Sequence, residues 1–190
     1  MRECAVHSCA ENGLRRLGFA GQPRISGTEL MRAYLLHAAI KGEPVFLLGS
    51  TVATLAALVD KLKLAYPALM IAGAVSPPFR SATAAEDAAI VAQINASGAG
   101  SVWVSLGCPK QEKWMLSHRG RVHAVMLGVG AAFDFIAGAK PRAPAWMQNA
   151  GLEWLHRLAN EPGRLWRRYL VTNSRFVIGA ARQLLFGCKP

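Results

Sequence analysis

The sequence lacks any uninterrupted apolar run of the roughly 18 residues that a membrane-spanning helix requires. Its longest candidate, residues 124–139, is rich in glycine and interrupted by Asp134. The leader Met1-Arg2-Glu3-Cys4-Ala5-Val6-His7-Ser8 is polar and has no signal-peptide core. A cytoplasmic chain, soluble or peripheral to a membrane, is therefore expected. Cysteine is also sparse, at positions 4, 9, 108 and 188, a spacing that suits neither a disulfide framework nor a CxxC zinc site. Cys4, His7 and Cys9 lie close together, but reduced thiols are the expected state and no metal is assigned. Acids are scarce too. Eleven Asp+Glu stand against twenty-two Lys+Arg, giving a formal charge of +11, and the first aspartate is Asp60. That surplus points to a polyanionic partner: nucleic acid, anionic lipid or a diphosphate-bearing substrate.

What is abundant is apolar. Hydrophobic residues make up 52% of the 190, enough for a sizeable core and against global disorder. Val45-Phe46-Leu47-Leu48-Gly49 reads as a buried strand, and Leu55, Leu58, Val59 and Leu62 follow at helical spacing, with Pro67 beyond. Residues 69–73 read as a second strand and 85–96 as a helix with Glu86 and Asp87 in its first turn. Residues 101–107 read as a third strand, 109–118 as a helix and 122–128 as a fourth strand. Strands without polar alternation, each followed by a helix, imply an α/β fold: a parallel sheet covered by helices on both faces. In such sheets ligands bind beyond the carboxyl ends of the strands. The expected exits are Gly49-Ser50-Thr51, Gly73, Gly107-Cys108-Pro109-Lys110-Gln111 and Gly128-Val129-Gly130, and glycine at all four suits a nucleotide-type ligand.

After Gly138 the character changes. Residues 141–190 carry Arg142, Arg157, Arg164, Arg167, Arg168, Arg175, Arg182 and Lys189 against only Glu153 and Glu161. Trp146, Trp154 and Trp166 also fall here, beside leucines that give short amphipathic helices separated at Glu161-Pro162. Aromatic anchors next to arginines suit a helix lying on an anionic membrane surface. A basic helical subdomain packed on the core, or a nucleic-acid patch, would use the same charges.

Three blocks carry a resemblance. Gly107-Cys108-Pro109-Lys110-Gln111-Glu112-Lys113-Trp114 resembles the G-x-P-K-Q-E-x-W/F signature of the WecG/TagA/CpsF glycosyltransferase family. Residues 128–138, GVGAAFDFIAG, are similar to its G-V-G-x-x-F-D-x-x-x-G segment. Arg142-Ala143-Pro144-Ala145-Trp146, then Gly151-Leu152-Glu153-Trp154, then Glu161-Pro162 and Arg164 to Tyr169 resemble its later blocks in order. Ser26-Gly27-Thr28-Glu29-Leu30 and Phe46-Leu47-Leu48-Gly49 match earlier landmarks.

The resemblance implies a Rossmann-like core with a small helical C-terminal appendage that closes over the active site and docks on the membrane. The domains expected are an unmatched leader over 1–13, a nucleotide-sugar-binding domain over 14–140 and the basic appendage over 141–190. It further implies an inverting, metal-independent transfer of N-acetylmannosamine, its uronic acid or glucose. The sugar moves from UDP to a polyprenyl-diphosphate-linked acceptor at the inner face of the plasma membrane, for teichoic acid or exopolysaccharide. No cofactor is expected and no nucleic acid, since no helix-turn-helix or RNA-binding aromatic motif is present; a homo-oligomer remains open.

The expected substrate-binding residues are Arg24, Thr28, Gly49, Lys110, Gln111, Gly130, Asp134, Arg157, Arg164 and Arg167. Without a metal, the charge growing on the leaving UDP needs arginines or helix N-termini, and Arg157, Arg164 and Arg167 take that role by resemblance. Lys110 and Gln111 open a helix at a strand exit, where an amide orients sugar or phosphate. Asp134 is a candidate pocket carboxylate or a structural acid. The transfer also needs a base to accept the acceptor's hydroxyl proton. The family's aspartate for that step falls, counted without gaps, at Val6. No base is thus assigned, with Asp134 and His7 the weaker candidates. The expectation is a truncated or frame-shifted N-terminus, with turnover greatly reduced and UDP binding retained; the alternative is a remnant that binds nucleotide, membrane or a partner enzyme without transfer.

Overall fold

A computed structural model of the chain describes residues 25–144, 146–147, 152–160, 162–163, 166, 171, 174–175, 178–179 and 181–182. These fall into two units, one over 25–141 and one holding the described residues from 142 onward.

The first unit runs α1 (Gly27–Lys41), β1 (Val45–Gly49), α2 (Val52–Ala65), β2 (Ile71–Val75), α3 (Ala84–Ala96), β3 (Ser101–Ser105), α4 (Lys110–Ser117), β4 (Val125–Gly128) and α5 (Ala132–Ala137). Its four strands form one all-parallel sheet in the order β2-β1-β3-β4. The α/β fold is therefore as expected, Rossmann-like, with small helical pieces in the C-terminal unit, among them α6 (Glu153–Asn160).

Side chains of successive strand residues point to opposite faces, and the sheet uses both. Val45, Leu47 and Trp103 face a core completed by Met31, Leu35, Leu55, Leu58, Leu62 and Phe133, from α1, α2 and α5. Phe46, Leu48, Val102 and Val104 face a second core with Ile90, Val91 and Ile94 of α3, against which Trp114 and Met115 of α4 pack. This two-sided burial explains why the strands read as continuous apolar runs. His118 ties α4 to α3: one ring nitrogen lies 2.8 Å from Asp87 Oδ1 and the other 2.7 Å from the Trp114 carbonyl.

Three local features depart from the expectations. Helix α1 had no helical reading, because apolar residues line all its sides: Met31, Leu35 and Ala38 are buried while Leu30, Leu36 and Ile40 are exposed. Its start was nevertheless encoded as a capping box, in which Ser26 accepts from the Glu29 N–H and Glu29 accepts from the Ser26 N–H. Strand β2 begins at Ile71 rather than 69, since the Leu69 N–H is committed to a turn with the Tyr66 carbonyl at 2.9 Å. Gly73 consequently lies inside β2 and is not an exit; a Cβ there would overlap the Phe46 ring. Strand β4 begins at Val125 rather than 122, because the Val122 N–H closes a turn onto the His118 carbonyl at 3.1 Å.

The order β2-β1-β3-β4 places the reversal of winding between β1 and β3. Ligands of open parallel sheets bind outside the carboxyl ends of the strands at such a reversal. The site is sought there.

Candidate functional site

Strand β1 leaves the sheet through Gly49, at φ +124°, and Ser50, at φ +63°. A side chain at Gly49 would be strained at that φ and would overlap the backbone of Ser105. This close approach lets the Ser50 N–H donate to the Ser105 carbonyl at 3.1 Å, locking the β1 and β3 exits together. The Ser50 carbonyl accepts from Ser76 Oγ at 2.8 Å, adding the β2 exit. Ser50 is a non-glycine residue in the left-handed region, a conformation held by its surroundings and characteristic of functional loops.

The β4 exit joins through two bonds. Ser105 Oγ donates to the Gly130 carbonyl at 2.6 Å. The Gly130 N–H in turn donates to Gln111 Oε1 at 3.1 Å. Gln111 is fully buried in the first turn of α4, and Gly128 makes room for it, since a Cβ on Gly128 would lie 2.9 Å from Gln111 Nε2. The start of α1 crosses the same exit. Gly27 sits so near that its Cβ would lie 2.9 Å from the Val129 carbonyl oxygen.

Beyond β4, α5 supplies Asp134. Ser50 Oγ donates to Asp134 Oδ1 at 3.1 Å, and Lys140 Nζ lies 3.2 Å from Oδ2. One hydrogen-bonded chain therefore runs from Gln111 through Gly130, Ser105 and Ser50 to Asp134 and Lys140. It borders three strand exits with a glutamine, a carboxylate, an ammonium and several peptide groups. Hydroxyls and phosphates are the groups such a border can recognise.

Of the expected substrate-binding residues, Gly49, Gln111, Gly130 and Asp134 are brought together by this chain. Lys110 stands apart, exposed at the start of α4, with its Nζ 3.5 Å from the Phe79 carbonyl. Thr28 is buried in the first turn of α1, next to Gly27. Arg157 lies on α6, but its side chain, like all of Arg24, Arg164 and Arg167, lies outside the described residues, as do Val6 and His7. Sequence reading placed Ser50 at a strand exit without giving it a role and missed Ser76 and Ser105; these three serines do most of the joining. A serine after a strand carries no signal until the strands are ordered.

An exposed salt bridge ties the loop after β2 to the start of α3. Arg80, beside the exposed Phe79 in the loop after β2, forms a fork with Glu86 at 2.7 and 2.6 Å. Glu86 also closes the capping box of α3 with Thr83. Hydrogen bonding from Arg80, helped by the Thr83 N–H, lowers the Glu86 carboxyl from 4.5 to about 2.

No described helix is long and apolar enough to cross a membrane. Trp146 and Trp166 of the second unit are exposed. A family model described as the glycosyl transferase WecG/TagA/CpsF family matches residues 11–189. The matched residues take in every element described above and leave Val6 and His7 outside.

Proposed function

The chain belongs to the WecG/TagA/CpsF glycosyltransferase family, and on that premise we propose that it transfers a hexose from a UDP-sugar to a polyprenyl-diphosphate-linked acceptor. N-acetylmannosamine, its uronic acid and glucose are the sugars considered, and a cell-surface polysaccharide such as teichoic acid or exopolysaccharide is the product. The observation that carries this reading is the junction of three strand exits at the winding reversal, bordered by Gln111 and Asp134.

In the proposed reaction the acceptor oxygen attacks the anomeric carbon from the face opposite UDP. The carbon–oxygen bond to UDP breaks, and the acceptor's hydroxyl proton passes to a base. Inversion follows from the single displacement. Charge then accumulates on the diphosphate, where cations and N–H groups stabilise it most. Lys110 and the start of α4 take part of that role, and Arg24, Arg157, Arg164 and Arg167 are assigned the rest by resemblance. Asp134 and Thr28 receive substrate hydroxyls. The domain after residue 140, with its exposed tryptophans and its arginines, is the surface that docks at the inner face of the plasma membrane. A second copy of the chain is compatible with this arrangement.

A second reading keeps binding and removes transfer. The family's aspartate position falls at Val6, which has no proton-accepting side chain. Calorimetric titration with UDP tests the nucleotide binding that transfer requires: binding that persists at 150 mM salt is expected, and its absence would overturn transfer and leave a remnant that binds membrane or a partner enzyme. Sedimentation with vesicles containing anionic lipid, against neutral vesicles and DNA, tests the surface. Capture by the anionic vesicles alone is expected; capture by DNA alone would overturn the membrane assignment.

A further inference from the structure

Ser50 is the one non-glycine residue with positive φ among the described residues, at +63°. That region strains a residue with a Cβ and leaves glycine unstrained. The Ser50 N–H donates to the Ser105 carbonyl at 3.1 Å, and the Ser50 carbonyl accepts from Ser76 Oγ at 2.8 Å. Glycine would keep both bonds and remove the strain. What glycine cannot supply is the hydroxyl, which donates to Asp134 Oδ1 at 3.1 Å. Of these three bonds only the last depends on the side chain.

Asp134 is held from both sides. Its other oxygen, Oδ2, lies 3.2 Å from Lys140 Nζ. Its carbonyl accepts from the Ala139 and Lys140 N–H groups at 2.9 and 3.2 Å, so the turn carrying Lys140 folds back onto it. A donor on each oxygen sets the plane of a carboxyl group whose terminal torsion is otherwise broad. The two donors are unequal. Ser50 reaches Asp134 through a single rotor on a locked backbone, whereas Lys140 reaches it on a long flexible stem with 39% of its side chain exposed. The Asp134 side chain itself keeps 21% of its surface. A carboxylate oxygen accepts more than one bond, so a ligand can reach it while both donors stay in place.

We propose that Ser50 is a positioning residue for substrate binding: its hydroxyl fixes the Asp134 carboxylate in the orientation that receives a donor group of the UDP-sugar. This deepens the proposed function and rests on its assignment of Asp134. A carboxylate already oriented has less freedom to lose when the ligand arrives, so its bond to the ligand is stronger than one from a freely turning side chain. The strained backbone at Ser50 is what aims the hydroxyl.

Ser50→Gly and Ser50→Ala remove the same hydroxyl and differ in the backbone. Glycine relieves the left-handed conformation and alanine does not, so Ser50→Gly should melt above Ser50→Ala. A positioning role makes their affinities fall together. Calorimetry with UDP and UDP-glucose should show the better-bound of the two weakened about fivefold in both variants, the effect of leaving one side chain to be immobilised on binding. The decisive readout is Ser50→Gly in an Asp134→Ala background. With no carboxylate to orient, it should change affinity there by less than about twofold beyond the loss that Asp134→Ala itself brings. A full loss that persists in that background, an affinity that follows melting temperature rather than the hydroxyl, or an affinity unchanged by either substitution at Ser50 would each overturn the positioning role. Failure of the unsubstituted protein to bind UDP or UDP-glucose is a different result: it overturns the proposed transfer, and the role of Ser50 falls with it.

Discussion

Gln111 and Gly130 are joined by one hydrogen bond at 3.1 Å, from the glycine N–H to the side-chain oxygen of a fully buried glutamine. That bond connects the first turn of α4 to the exit of β4. It gives a polar side chain in the core a defined task. Gln111→Leu fills the same space, removes the acceptor and leaves the Gly130 N–H and Glu112 Oε1 without their present partner. A loss of about 2 kcal/mol is expected for stranding buried polar groups, read as a fall of about 4–8 °C in melting temperature for a chain of this size. An unchanged melting temperature would show that the bond contributes nothing.

Gly49 and Gly42 make a controlled pair. Both have positive φ, but a Cβ on Gly42 meets nothing within 4 Å, whereas one on Gly49 overlaps Ser105. Gly42→Ala should cost about 1 kcal/mol, the ordinary penalty for alanine in that conformation. Gly49→Ala should cost about 3 kcal/mol or more, because strain and steric overlap add. Denaturant unfolding of both variants measures the difference; equal costs would contradict the close approach of the β1 and β3 exits.

Asp134→Asn separates structure from binding. The asparagine oxygen still accepts from Ser50, and only the pairing with the partly exposed Lys140 is lost. Stability should change by less than about 1 kcal/mol, as for exposed ion pairs. UDP or UDP-sugar affinity should fall about tenfold if the carboxylate receives a substrate hydroxyl, since hydrogen bonds to charged groups are of that strength. Calorimetry and thermal melts on one preparation give both numbers, and a variant that binds normally would remove Asp134 from the site.

The Arg80–Glu86 fork predicts a pH dependence. The folded Glu86 carboxyl titrates at about 2 rather than its ordinary 4.5, chiefly through its hydrogen bond from Arg80. A lowered folded value means that the unfolded chain binds the proton more readily. The stabilisation is therefore present above about pH 4.5 and is lost as pH falls towards 2. Glu86→Gln should lower the melting temperature at pH 7 relative to the unsubstituted protein, with the gap closing between about pH 5 and pH 2. A gap that stays constant with pH would contradict the fork.

Much of this was legible in the sequence, for identifiable reasons. Val45–Gly49 and Ser101–Ser105 are buried on both faces, so their apolar runs read correctly as inner strands. Gly49, Gln111, Gly130 and Asp134 sit in recognisable blocks, and the structure gathers them. Gly73 misled because a glycine that accommodates the Phe46 ring has the same letter as one that ends a strand. Leu69 and Val122 misled because each spends its N–H on a turn, which no apolar pattern reveals. The bonds of the serines at positions 50, 76 and 105 were invisible for another reason: their partners lie 84, 26 and 25 residues away in the chain.

Transfer of a hexose from UDP to a lipid-linked acceptor goes beyond binding and has its own readout. A single-turnover experiment addresses it most directly, with the protein in excess over a UDP-hexose labelled in the sugar and a polyprenyl-diphosphate-linked acceptor in vesicles. Label is expected to move into the lipid phase with release of an equal amount of UDP, and neither is expected without acceptor. Because a single turnover suffices, even slow transfer gives product. Nucleotide-sugar that binds but keeps its label through prolonged incubation with acceptor would contradict transfer and leave the binding remnant as the reading that stands.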